Sequence, residues 1–522
     1  MKARRTDLLD LTADVLVIGG GPAGCWAALS ALEAGASVVL VEKGYTGTSG
    51  PTAAGNSSIV DTPPGSEQRR KAVAQRADRG LGLVDEALVD RVYDQTHAGL
   101  NRLLDWGYRF PRNDEGQLYR GSMRGVDYLR FMRQRLIKKG AVLLDQSPAL
   151  KLLVHDHAVA GAAGVARIGG APWRVRAGAV VLATGGCAFL SGALGTNNNT
   201  GDGYLMAAEL GARLSGMEFT GQYGIAPAHT PVTKGIIYYW ASFFDEAGNM
   251  LEAKGDRQDI VASGLKTGKV FAQLNKADAR VQSGMRGQAN VFLPFDRQGI
   301  DPFTEKFEVT MLYEGTVRGT GGILIDETTA TDVAGLFAAG DAASRVRMAG
   351  ATSGGGGPNA SWAMATGTWA GEAAAKFARS LGTSLHTRVV SSAGPAGWGR
   401  SYEDPLALRR AVQDEILPLD RSFHRTRAGL DASAEKLAAV WSALRANGGD
   451  QASIRAFELR SMAASARWIV ASARYRQESR GIHRRIDLQG ANTALGTEAV
   501  LSGGLDAVWT GFEHQIASKV SA

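Results

Sequence analysis

Asp14-Val-Leu-Val-Ile-Gly-Gly-Gly-Pro-Ala-Gly24 is the stretch whose reading decides the fold. Its apolar run, Val15–Ile18, predicts a buried parallel strand. Gly19, Gly21 and Gly24 follow in G-x-G-x-x-G spacing at the turn into a helix, read over Cys25–Ala34. Glycines in this arrangement make the tight turn, let backbone approach a pyrophosphate, and pack helix closely on strand. The helix start offers unpaired N–H groups and the positive end of a dipole to phosphates. A second apolar strand, Val38–Val41, ends in Glu42, eighteen residues past Gly24, where a carboxylate accepts hydrogen bonds from ribose hydroxyls. Strand, glycines, helix, strand and acid in that order predict a dinucleotide site. At this point NAD and FAD fit it equally.

The chain has 522 residues, more than one hydrophobic core usually serves, so two or three domains are expected. At 44% hydrophobic and 21% charged residues it is of globular composition, and its 67 glycines cluster in loops between apolar segments. The net charge of +7 is modest, and no polybasic run interleaved with aromatics points to nucleic acid. The charge leaves room for an anionic substrate or an acidic partner. Cys25 and Cys187 are the only cysteines and lack C-x-x-C spacing, so no disulfide framework, structural zinc or iron–sulfur cluster is expected within the chain. No apolar run reaches eighteen residues, and the segment behind Arg4-Arg5 reads as the first strand rather than a leader. These features predict a cytoplasmic protein with no membrane association and no metal site.

Outward from Glu42, Lys43–Ile59 is small, polar and glycine-rich, suited to wrapping backbone around a flat ligand. Residues 67–106 read as charged helix, Gly125–Lys139 as an amphipathic helix, and Val142–Leu144 and Ala149–Val154 as strands. Val159–Ile168 and Trp173–Arg176 read as a small antiparallel ribbon. The run Ala179-Val-Val-Leu-Ala-Thr-Gly-Gly186 is a second strand-plus-glycine unit, and Gly335-Leu-Phe-Ala-Ala-Gly-Asp-Ala-Ala343 a third. Between them the pattern turns irregular and aromatic, with Tyr223, Tyr238, Tyr239, Trp240, Phe243 and Phe244 close together. Ala349–Ser361, with four glycines in a row, opens a long Ala-rich helix; residues 380–405 read as a linker, and Pro405–Glu478 as amphipathic helices.

With three glycine units and the run Glu478-Ser-Arg-Gly-Ile-His-Arg-Arg-Ile-Asp487, the chain resembles the FAD-dependent succinate dehydrogenase and fumarate reductase flavoprotein family. Relatives of that family include L-aspartate oxidase and the adenylylsulfate reductase α subunit. The likeness extends through Thr200-Gly-Asp-Gly203, Met217-Glu-Phe219 and Ala338-Ala-Gly-Asp341, and so covers nearly the whole chain. It implies an α/β fold: a Rossmann-type FAD-binding domain (1–216 and 318–380), an inserted α+β capping domain (217–317), and a C-terminal helical region and tail (381–522). It also implies FAD contacts at Gly19, Gly21, Pro22, Ala23, Gly24, Glu42, Lys43, Gly44, Ser49, Gly50, Ala54 and Gly55. Further contacts fall at Ala149, Ala183, Thr184, Gly185, Asp202, Gly340, Asp341, Asn359, Ser361 and Trp362. The loop ending at Trp362 would set a helix N-terminus against the flavin pyrimidine edge, where reduced flavin carries negative charge.

Departures from the family pattern bear on chemistry. Gly50 replaces the histidine to which covalent members bond their flavin, so the resemblance implies non-covalent FAD. Met217-Glu-Phe continues as Thr-Gly-Gln-Tyr223 where the dicarboxylate enzymes have a carboxylate-gripping histidine. Where the family has its arginine-containing, proton-donating Glu-Gly-x-Arg-Gly-Glu, this chain offers Ile236-Ile-Tyr-Tyr-Trp-Ala-Ser242, and the family's His-Gly-Ala-Asn-Arg-Leu-Gly-Gly becomes Met348-Ala-Gly-Ala-Thr-Ser-Gly-Gly355, without its substrate-binding arginine. Succinate or fumarate chemistry is therefore not expected. Tyr223, Tyr239 and Trp240 predict a flatter, less anionic pocket for a ring-containing substrate, unless they are simply the cap's core.

The candidates for polar catalytic work are Tyr223, Tyr239, Arg347 and His483. His483 between arginines equally reads as a structural pin. The expected reaction is hydride transfer between an organic small-molecule substrate and flavin N5. Two alternatives stand beside it: an electron-transfer subunit with an iron–sulfur or other redox partner, and a flavin-binding structural protein with a degenerate site. Oligomeric assembly is left open.

Overall fold

The structure, a computed structural model, describes residues 8–113, 115–233, 235–252, 255–382, 388–392, 404–446, 453–488, 490–492, 495 and 498–515. Val15, Leu16 and Val17 are fully buried, as an apolar run flanked by strands on both sides requires. Their strand, Leu9–Ile18, pairs in parallel with Val38–Val41 on one side and Pro172–Leu182 on the other. It belongs to an eight-stranded sheet that also holds Val142–Leu144, Ala149–His155, Ala158–Val165, Ser391–Ser392 and Leu336–Ala338. The three strand-plus-glycine units thus end side by side at one sheet edge, where ligands of open α/β sheets bind.

One strand differs from expectation. Pro172–Leu182 is a single eleven-residue strand, antiparallel to Ala158–Val165 and parallel to Leu9–Ile18. The ribbon piece at Trp173–Arg176 and the buried piece at Ala179 are two halves of it.

Behind the sheet edge, helix Pro22–Glu33 lies against helix Gly357–Ser380. A Cβ at Gly367 would come within 2.4 Å of the Ala23 carbonyl oxygen, and one at Gly371 within 2.1 Å of that of Ala27. Only glycine permits this backbone approach, which draws the two helix N-termini together over the strand ends.

The segment between the second and third units builds a separate antiparallel sheet, in the order Tyr223–Pro227, Phe307–Tyr313, Val270–Gln273, Ser242–Phe244. Its core takes up Tyr238, Phe243, Phe292, Phe295 and Phe307. Beyond it, helices Pro405–Asp414, Arg427–Ala446 and Ile454–Tyr475 match the helical reading of the C-terminal stretch. That stretch is not helical throughout. Leu501–Gly503 and Trp509–Gly511 join Leu214–Ser215 and Gly322–Ile323 in a four-stranded sheet, and Ser391–Ser392 extends the large one. Most of the expected linker lies outside the described residues. Among the described residues no helix is long and apolar enough to cross a membrane.

Candidate active site

A cavity of about 1490 Å³ runs from the first glycine turn to the antiparallel cap sheet. Pockets for a single drug-sized ligand span about 300–1,000 Å³, so there is room for a dinucleotide and a second molecule.

Its floor is laid by the fingerprint. A Cβ on Gly24 would sit 1.8 Å from the Gly19 carbonyl oxygen, and one on Gly19 2.3 Å from that of Ala183. These two glycines close the turn. Gly21 differs, because a Cβ there would meet nothing within 4 Å and would project into open space. Helices Pro22–Glu33 and Gly357–Ser380 both start at this cavity without a side-chain cap, leaving N–H groups for a ligand. Buried Glu42 accepts from the N–H of Gly20 at 2.6 Å and of Gly44 at 2.7 Å. Each carboxylate oxygen can accept more than one bond, so capacity remains for ribose hydroxyls. The amide oxygens of Asn199 and Asn359, both lining the cavity, are buried without a hydrogen-bond partner. An open Gly21, two uncapped helix starts and two waiting acceptors fit an FAD.

Of the residues expected at the cofactor, Gly19, Gly21, Pro22, Ala23, Glu42, Lys43, Ser49, Gly50, Ala149, Ala183, Thr184, Gly185, Asp202, Gly340, Asp341 and Asn359 line the cavity. The other six stand behind the wall. Gly24 packs the turn; Gly44 bonds Glu42; Ala54 ends the short helix Gly50–Ala53; Gly55 accepts from Gly125. Ser361 accepts from the Val60 N–H, and the Trp362 indole donates to the Gly340 carbonyl at 3.1 Å. Lys43 and Asp202 reach the wall but are occupied with each other at 2.8 Å, and Lys43 also pairs with Glu458. Burial works against the Lys43 charge, and the two carboxylates outweigh it, so its pKa rises. Gly50, with φ +82°, presents no side chain. Among the described residues neither histidine nor cysteine lines the cavity. Both thiols are buried, and burial pushes each up to about 12.

The four catalytic candidates are not brought together. Tyr223 lines the wall, but its hydroxyl donates away from it, to the carbonyls of Leu417 at 2.9 Å and Pro418 at 3.0 Å. Tyr239 is 67% exposed at the rim, its ring under the Arg257 guanidinium at 3.3 Å. Arg347 is tied to Asp85 and Glu327 and does not line this cavity. His483 is fully buried behind it. There Nδ1 takes the Arg425 guanidinium at 2.8 Å, and Nε2 faces the Arg476 carbonyl at 3.3 Å. Burial first, then Arg425 and Arg476, holds its pKa well below the usual range. A neutral imidazole with both nitrogens engaged is a pin, not a proton shuttle.

Several polar groups that the sequence left unremarked line the cavity instead. Arg257 comes from the cap segment, Arg318 from the end of that segment, Arg484 from the Glu-Ser-Arg-Gly motif, and Arg76 and Arg79 from helix Glu67–Arg79. Glu314 is 5% exposed, with Oε1 accepting from the Thr233 hydroxyl at 2.9 Å and lying 4.0 Å from Arg318 Nε. Arg484 reaches Asp259 at 3.4 Å and stacks over Phe423 at 4.0 Å. The pocket is therefore more highly charged than the aromatic reading suggested, with Arg257, Arg318 and Arg484 set among Asp256, Asp259 and Glu314. A signal for one pair existed, and it corrects the placing of that segment at Ile236–Ser242: Glu314-Gly-Thr-Val-Arg-Gly319 resembles Glu-Gly-x-Arg-Gly-Glu, with one residue more before the arginine and Thr320 for the last glutamate. For Arg76 and Arg79 there was none, since arginines in a charged helix read as a solvated face.

Residues 14–223 match the FAD binding domain model, and residues 415–495 the fumarate reductase flavoprotein C-terminal model. The chain is 26% identical to a fumarate reductase (CoM/CoB) subunit of Methanothermobacter marburgensis, over 91% of this chain and 94% of that one. It is 30% identical to L-aspartate oxidase of Mycobacterium tuberculosis, over 91% and 92%. Quinol fumarate reductase of E. coli shares its fold with a TM-score of 0.79 and 22% identity, covering 97% of each chain.

Proposed function

The chain belongs to the FAD-dependent succinate dehydrogenase and fumarate reductase flavoprotein family, and on that premise we propose that it moves a hydride between FAD and an anionic organic substrate held under the cap. The observation carrying this reading is the single cavity that joins the dinucleotide fingerprint to a wall bearing Arg257, Arg318 and Arg484. When bound, FAD supplies the redox chemistry. Gly21 and the start of helix Pro22–Glu33 would hold its phosphates, Glu42 its ribose, and the start of helix Gly357–Ser380 its flavin pyrimidine edge. Attachment is proposed to be non-covalent, since Gly50 offers no nucleophile.

The residues of this chain bind, orient and handle the proton. Of the acids on the cap side, Asp256 and Asp259 bond each other's backbone amides at the start of helix Arg257–Gly264 and face Arg484. Glu314 is the buried one, and we assign it the proton that accompanies hydride transfer. The three guanidiniums orient the substrate anion, and the cap excludes water. A redox partner belongs to the proposal on one ground: the methanogen relative is, by its name, one subunit of a larger enzyme.

Anaerobic flavin spectroscopy against a substrate panel tests the reading. Bleaching by an anionic reductant, or reoxidation of chemically reduced protein by an anionic acceptor, is expected. A protein that retains FAD yet neither bleaches nor reoxidises with any organic anion overturns it.

A further inference from the structure

We infer that Arg76 and Arg79, with Arg318, form an oxyanion subsite for the substrate at the Thr352–Gly356 loop, replacing an arginine that this loop lacks. The inference rests on the hydride-transfer reading for its substrate, though not for its test. In the family pattern the loop itself supplies a substrate-binding arginine; here that place in the sequence is Thr352. The fold returns a guanidinium to the same spot from 276 positions away. Arg76 Nη2 donates to the Thr352 hydroxyl at 2.6 Å and to the Ala349 carbonyl at 3.0 Å.

The approach is built into the backbone. A Cβ at Gly350, whose φ is +68°, would fall 2.1 Å from the Gly80 carbonyl oxygen, so the end of helix Glu67–Arg79 docks directly on the loop. Arg318 flanks the loop's other side: a Cβ at Gly355 would come within 2.9 Å of its Cδ and Nη1, and its carbonyl accepts from the Gly354 N–H. Arg79 follows Arg76 by one helical turn, and all three arginines line the cavity.

Charge balance points to a ligand. Arg76 is 8% exposed, and its Nε has no hydrogen-bond partner. Among the described residues it forms no ion pair with a carboxylate, whereas buried Arg345, Arg476 and Arg480 each have one. Burial and the neighbouring Arg79 both depress its pKa, with Tyr93 opposing. Arginines suit the last turn of a helix, but a helix dipole is no counter-ion, and an unpaired buried charge is costly. A carboxylate, phosphate or sulfate group would meet this fork of donors in the geometry guanidinium favours.

The test titrates the FAD-loaded protein with acetate, oxalate, phosphate and sulfate, reading the flavin absorbance band and the melting temperature. Saturable binding is expected, at least tenfold weaker in Arg76→Gln and in Arg79→Gln, partly kept in Arg76→Lys, and unchanged in the surface control Arg347→Gln. The probe that saturates lowest identifies the anion class. Unchanged affinity in both glutamine variants, or equal loss in the control, overturns the subsite. Loss of FAD from both would assign the guanidiniums to the cofactor and also overturn it. Should Arg76→Gln not fold, exposed Arg79 carries the decision. Because binding is read without turnover, a protein that binds anions through Arg76 but never transfers a hydride would sink the hydride reading alone.

Discussion

Glu218 and Arg476 meet at 2.9 Å with both side chains fully buried, joining the Met-Glu-Phe segment to the chain just ahead of the Glu-Ser-Arg-Gly motif, 258 positions later. Arg476 continues to Glu478 at 2.6 Å, and Glu478 to Arg480 at 2.7 Å. The Val500 N–H also donates to Glu218. Burial raises the Glu218 pKa and Arg476 opposes the rise. Replacing Arg476 by Met strands a buried carboxylate, so Arg476→Met should destabilise the chain by about 3–5 kcal/mol. Denaturant unfolding measures this; a loss under about 1 kcal/mol would show that the pair is not a structural tie.

The fingerprint glycines separate fold from cofactor. Gly24→Ala drives a Cβ into the Gly19 carbonyl and should lower the melting temperature of the flavin-free protein. Gly21→Ala adds a methyl to open space, so the flavin-free protein should melt unchanged while its FAD affinity falls at least tenfold. Flavin content together with apo melting curves checks both, and equal behaviour of the two variants would contradict the assignment.

Glu314 should be separable from binding. Glu314→Gln is expected to keep FAD and substrate affinity while slowing flavin reduction about 10²–10⁴-fold. Rapid-mixing absorbance under anaerobic conditions measures the step; a fall below tenfold removes Glu314 as the proton-handling group.

His483 makes a prediction about pH. Held neutral in the fold, with a pKa below its usual 6.5, it contributes stability above that value that is lost as pH falls through and below it. His483→Leu removes the acceptor of the Arg425 guanidinium and should cost about 2–3 kcal/mol at pH 8. The cost should shrink at pH 5, and the pH profile of turnover should keep its shape. An altered profile would return His483 to the chemistry.

The opposite slope belongs to Glu209, at the end of helix Asp202–Ala208 and within the field of Arg460. Burial pushes its pKa from 4.5 up to about 8 against the pull of Arg460. The folded state therefore holds the proton more tightly than the unfolded chain, and stability falls as pH rises from about 4.5 to about 8. Glu209→Gln should be the more stable protein at pH 8, by on the order of 3 kcal/mol, and indistinguishable at pH 4. Melting temperatures across that range test the sign.

Much of the fold is legible from local pattern. Val15–Ile18 can only be a buried strand, and Gly19, Gly21 and Gly24 can only be a close-packed turn, because the constraint on each is set by its own few neighbours. Trp173–Arg176 and Ala179–Leu182 read as two strands because their burial differs: one half buries only alternate residues, the other buries every one. The tyrosines mislead for a related reason. Nothing in the sequence says that the Tyr223 hydroxyl turns to Leu417, or that Tyr239 stays at the rim beneath Arg257.

What the sequence by itself determined is the dinucleotide turn, the three strand-plus-glycine units and the family, since each rests on residues adjacent in the chain. Tertiary structure alone decided which guanidiniums line the pocket. Arg76, Arg79, Arg257, Arg318 and Arg484 come from four separate segments and read singly as surface residues. A guanidinium acts over a few ångströms of space, and only the folded backbone brings Arg76 to Thr352.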